Sequence, residues 1–86
     1  MYPDGTTKDF NPKGEIYTLE ELRSAIGGGY IEIFDAGENS FIVIDEEGKL
    51  KGLPFNSLAT MLMAGRLQGG DYIVGDALLC SKDQIE

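Results

Sequence analysis

Gly27-Gly28-Gly29 and Asp45-Glu46-Glu47-Gly48 are the stretches whose make-up first suggests chemistry: a phosphate cradle in one case, a calcium loop in the other. A phosphate cradle sets its glycines before a helix, where free amides and the positive dipole end meet the anion. Here the helical pattern comes first, so the triplet reads as a helix stop and a flexible lead into a strand. The segment from Gly65 to Gly70 likewise lacks the Lys and Ser/Thr of a phosphate loop. A calcium loop needs oxygen ligands at alternating positions, closing on a bidentate Glu. Gly48 is followed instead by Lys49, Leu50, Lys51 and Gly52, which makes this a hairpin turn.

Two further places merit weighing. Glu32 lies mid-strand among apolar residues. Facing inward it would need a partner, and facing outward it is the polar position of an alternating strand. In Leu53-Pro54-Phe55-Asn56 the proline fixes a turn and Asn56 can cap the next helix. A helix start beside an Asn is also a place where anions dock. Arg66, with Lys49 and Lys51, is among the few cations able to offset a phosphate. Asn56, Arg66, Glu32 and Tyr30 are therefore the candidate ligand-binding residues. No catalytic residue, metal ligand or cofactor is assigned.

What is missing narrows the chemistry further. The chain has no histidine and one cysteine, Cys80, so serine triads, Cys-His dyads and the common zinc sites lack their residues. An enzyme is not expected; a carboxylate-only site using Glu32 with Asp45 or Asp76 ranks last. Fifteen acids against seven bases give a net charge of −8, which repels nucleic-acid backbones. No apolar run approaches the ~20 residues of a membrane helix. A soluble, cytoplasmic protein is the expectation, with no direct nucleic-acid or membrane binding.

The elements that must position these residues come from 86 residues, enough for one small domain. Residues 1–15 follow neither helical nor strand period and read as an arm, which Tyr2 and Phe10 could pin to the body or to a second subunit. The domain proper is expected over 16–82, with a tail at 83–86. Thr18 and Glu21 form a capping box, with Tyr17 and Leu22 spaced as a hydrophobic staple. Leu19, Leu22 and Ile26 carry that helix to Gly27. Tyr30–Phe34 and Ser40–Ile44 read as a hairpin with a five-residue link, the almost wholly apolar second run suggesting a central strand. Gly48 is expected in a left-handed conformation, followed by a short strand over Lys49–Leu53.

A second helix is expected over 57–65, with Leu58, Met61, Leu62 and Gly65 on one stripe. Ala59, Met63 and Ala64 leave it little polar face, which argues for a homo-oligomer unless the arm covers the second side. Strand residues resume at Tyr72–Val74 and Ala77–Leu79, with a bulge or bend at Gly75-Asp76. The fold class is α+β: two short helices packed on a mostly antiparallel sheet of three to four strands.

Gly28-Gly29-Tyr30-Ile31-Glu32, Asp45-Glu46-Glu47-Gly48-Lys49-Leu50, Leu53-Pro54-Phe55-Asn56 and Asp71-Tyr72-Ile73-Val74-Gly75-Asp76-Ala77-Leu78-Leu79 follow one another in order. In that order the chain resembles the domain of unknown function 3846 family, over about residues 17–81. The resemblance implies a small phage or mobile-element protein with no established activity and no catalytic residue to carry over. The expected function is a non-catalytic binding module that sequesters a small anionic, nucleotide-like host ligand. The alternative is an acidic mimic of DNA that inhibits a host nucleic-acid-binding protein such as a restriction enzyme.

Overall fold

Thr18 starts the first helix as its residue types require. In the structure, a computed structural model that describes residues 1–37, 39–67 and 69–85, the Glu21 amide donates to the Thr18 hydroxyl at 3.1 Å. The Glu21 carboxylate accepts from the Thr18 amide at 2.9 Å, closing the box. That bond, with a second from the Lys13 amide, holds the Glu21 carboxyl below its ordinary pKa. Helix α1 runs Leu19–Ala25 and ends at Ile26. The Gly28 amide then reaches the Arg23 carbonyl at 2.7 Å and that of Gly27 reaches Ser24 at 3.2 Å, a Schellman pair. Leu22 and Ile26 are buried, whereas Leu19 is exposed.

Strands β1 (Ile31–Gly37) and β2 (Ser40–Asp45) form the hairpin, with Ile31 opposite Asp45 and Asp35 opposite Phe41. Strand β1 runs further toward the turn than the five-residue link implied, while β2 begins at Ser40 as expected. A register shift between Asp35 and Gly37 absorbs the difference. Glu38, part of that link, lies outside the described residues. Strand β3 (Leu78–Ser81) pairs antiparallel with the other side of β2, so the sheet order is β1-β2-β3. The fold is α+β with three antiparallel strands.

Helix α2 (Ser57–Leu62) follows between β2 and β3. Odd-numbered residues of β2 meet α1: Val43 packs with Tyr17, Leu22, Ile26, Leu78 and Cys80. Even-numbered residues meet α2: Ile42 and Ile44 pack with Ala59, Met63, Ile73 and Ala77. A strand covered on both faces needs no polar alternation, which explains the apolar run.

Three local expectations give way, one to turn hydrogen bonds and two to tertiary contacts. Lys49–Leu53 is not a strand, because its amides are spent on turns: Lys51 to the Glu47 carbonyl, Gly52 to Lys49, Leu53 to Gly48. Gly48 is not left-handed. It is glycine because a Cβ there would stand 2.9 Å from a Val74 methyl. Helix α2 presents Ala59 and Met63 to the core and leaves Met61 73% exposed, the reverse of the expected facing. It is also shorter than expected, with Met63 as its C-cap. Of the last strand-like runs, Tyr72–Val74 contributes a single bridge, Val74 to Phe55, and Gly75-Asp76 is the bend.

The segments read as arm and tail lie against this body. Phe10 stacks on Tyr17 with centroids 6.2 Å apart, and the Tyr17 hydroxyl donates to the Phe10 carbonyl. Met1 packs beside Ala59 and Met63, and its carbonyl accepts from the Ala77 amide at 2.9 Å. A 3-10 turn over Lys82–Gln84 brings the Gln84 carbonyl to the Tyr17 amide at 2.7 Å. Among the described residues no helix is long and apolar enough to cross a membrane.

Candidate functional site

Asp45 ends β2 at the bottom of an acidic corner. The residue is only 5% exposed, and a buried carboxylate needs partners. One oxygen accepts from the Glu47 amide at 2.8 Å, and the other from the Lys51 ammonium at 2.7 Å. The acidic turn thus does fold tightly, but around its first carboxylate. The glycine triplet has φ of 87°, 97° and 92°, and its last residue, Gly29, lies against this pair. A Cβ on Gly29 would stand 2.6 Å from the Lys51 ammonium and 3.1 Å from an Asp45 oxygen. The Lys51 side chain could move aside, so it is the backbone, with φ of 92°, that favours glycine at Gly29.

Three hollows surround the corner. The first is a groove of about 490 Å³ between the N-terminal segment, the glycine triplet and the Gly75-Asp76 bend. Asp45 and Lys51 lie in it, and Asp76 faces Gly27 across it. The second, about 140 Å³, is lined by Glu32, Glu46, Lys49, Asp71 and Tyr72, again with Asp45. Lys49 pairs with Asp71 there and stands over the Tyr72 ring at 4.4 Å. The Lys49 hydrogen bond holds the Asp71 carboxyl below its ordinary pKa, helped by the Tyr72 amide. The third is an open concavity lined by Tyr30, Glu46, Glu47 and Leu50. Tyr30 is 65% exposed and Leu50 86%. The Arg23 guanidinium lies 5.9 Å from the Tyr30 ring centroid and donates to the Gly29 carbonyl at 2.8 Å.

The four candidate residues fall in three places. Tyr30 and Glu32 line separate hollows at this corner, and Glu46 is common to both. Glu32 faces outward. Asn56 is fully buried and is a junction of the scaffold. Its amide donates to the Gly75 carbonyl at 2.8 Å and the Met1 carbonyl at 3.1 Å, while its oxygen caps α2 by accepting from the Ala59 amide at 3.0 Å. An anion would find those donors already in use. Arg66 lies at the far end of β1, 3.7 Å from where a Gly37 Cβ would stand. It there helps to lower the Asp35 pKa, after the larger effects of the Gly37 amide and Lys82.

Asp45 and Asp76 were read only as possible partners of Glu32, and Lys51 only as a cation; the Asp45–Lys51 pair and the approach of Asp76 to Gly27 were missed. The signal for the pair was an Asp closing an otherwise apolar strand. For the approach of Asp76 to Gly27 there was none, since the two are 49 positions apart. Among the described residues no group of three or more acids and cysteines has a geometry that could hold a metal ion.

The family model for the domain of unknown function DUF3846 matches residues 3–86, and the chain belongs to that family. No curated protein and no solved structure gives a significant match to it.

Proposed function

We propose that the protein is a non-catalytic binding module whose acidic corner docks on a basic surface of a partner protein. One observation carries the reading. Glu32, Glu46 and Glu47 make no ion pair among the described residues; Glu46 and Glu47 flank the exposed Tyr30 and Leu50, and Glu32 lines the neighbouring hollow with Glu46. Unpaired carboxylates around exposed apolar anchors suit a basic partner, since the charges steer it and the anchors hold it.

The bases count against a small anionic ligand. Lys49, Lys51 and Lys82 are paired with Asp71, Asp45 and Asp35. Arg23 is held at Gly29 and Tyr30, and Arg66 lies beside Asp35. A phosphate at the corner would have to displace these contacts under a net charge of −8, since Lys8 and Lys13 line hollows elsewhere. Mimicry of DNA is the form this reading takes when the partner is a nucleic-acid-binding protein.

The test is calorimetric titration with a short arginine–alanine peptide at low and raised salt. Saturable binding that weakens with salt is expected, and Glu46→Lys with Glu47→Lys should weaken it about tenfold. Equal affinity in that double variant, or binding of a nucleotide in preference to the peptide, overturns the reading.

A further inference from the structure

We infer that the groove between the N-terminal segment, the glycine triplet and the Gly75-Asp76 bend receives a cationic side chain of that partner, an inference that rests on the acidic-corner reading. The groove has the volume of a ligand site, for which roughly 300–1,000 Å³ is usual. Tyr2, Pro3, Leu53 and Pro54 give it apolar walls. Its charges do not cancel: Lys51 is matched by Asp45, which leaves Asp4 and Asp76. Asp4 is engaged by the Thr6 hydroxyl and amide. The Asp76 side chain makes no hydrogen bond or ion pair among the described residues, and one of its oxygens lies 4.0 Å from where a Gly27 Cβ would stand. The Met1 amino group offsets Asp76 in part, but it is itself bound to the Ala77 carbonyl at 2.8 Å.

These features select the occupant. An apolar group filling the groove would strip water from Asp76 and give nothing back. An anion would meet two carboxylates. A guanidinium or ammonium on a methylene stem satisfies both walls and carboxylate, as long basic side chains do elsewhere. The carbonyl end of α1 at Gly27 adds the negative end of a helix dipole, short as that helix is. Asp45 lines both this groove and the hollow beside Glu32 and Glu46, so one partner surface can span the two.

The experiment follows amide signals of the isotope-labelled chain during titration with the same arginine–alanine peptide, and separately with agmatine as a free guanidinium on an alkyl stem. The peptide should shift the Gly27, Gly75 and Asp76 signals saturably. Asp76→Asn, nearly isosteric, should weaken peptide binding about fivefold without moving Tm. Suppose instead that Glu46→Lys with Glu47→Lys abolishes binding while Asp76→Asn binds like the parent and the Gly27 and Gly75 signals stay still. The groove proposal then falls and the acidic-corner reading stands. Failure of the peptide to bind at all removes both. Agmatine binding as tightly as the peptide would make the occupant a small free cation and overturn the assignment to a partner's side chain.

Discussion

Thr18 and Asn56 perform the same task, each accepting from an amide of the first helical turn, but at different depths. Thr18 is exposed, and water can replace its hydroxyl. Asn56 is fully buried and also holds the Met1 and Gly75 carbonyls. Losing an exposed cap typically costs about 1 kcal/mol. Removing a buried partner strands groups that water cannot reach, at roughly 1–3 kcal/mol each. Thr18→Ala should therefore lower stability by about 1 kcal/mol and Asn56→Ala by about 3 kcal/mol or more. Urea midpoints for the two variants check this, and equal shifts would contradict the burial argument.

Helix α2 shows at the scale of an element what Asn56 decides. With its oxygen bound to the Ala59 amide and its amide bound to Gly75, the helix starts at one fixed rotation. Ala59 and Met63, four residues apart, then face β2 and Met1. Thr60 meets the neighbouring segment, its hydroxyl accepting from the Ile73 amide at 2.9 Å. Met63→Glu should accordingly unfold the protein or cost several kcal/mol, because the new carboxylate would be buried without a partner. Met61→Glu should stay within about 0.5 kcal/mol of the parent. Chemical denaturation of both variants distinguishes this facing from the stripe of Leu58, Met61 and Leu62, under which the two outcomes would be exchanged.

The whole molecule carries −8 on 86 residues, and its response to alkali joins charge to packing. Burial raises the Cys80 thiol above its ordinary 9.0. Burial, followed by the nearby Cys80 and Glu21, raises the Tyr17 phenol above 10.0. Both groups are neutral when protonated, so in the folded state each resists losing a proton that the unfolded chain gives up. Their contribution is complete below the unfolded pKa values and declines as pH rises through and beyond them. Tm should therefore fall as pH climbs above about 9, with further loss above about 10. In Cys80→Ala the first part of that decline should flatten; an unchanged slope would mean that the thiol does not titrate differently in the two states.

The capping box at Thr18 and Glu21, the stop at Gly27, the hairpin and the central apolar strand were all legible in the sequence. Each depends on residues a few positions apart, whose local geometry acts wherever the segment sits. The acidic balance and the family resemblance were legible too, because they belong to composition and motif order. Of the four candidate residues, Tyr30 and Glu32 stand two positions apart in the sequence, and they line neighbouring hollows that share Glu46. Asn56 and Arg66 were separated from that pair by the fold. An Asn beside a helix start offers the same hydrogen bonds to an anion or to a Gly75 carbonyl, and its neighbours in space decide which. Gly48 likewise carries one letter for two reasons, and Val74 chose the steric one. The groove exists only because Pro3, Gly27, Asp45 and Asp76, scattered along the chain, converge where β2 ends. Sheet register and the docking of the N-terminal segment make that convergence, through contacts whose sequence separation leaves no local trace.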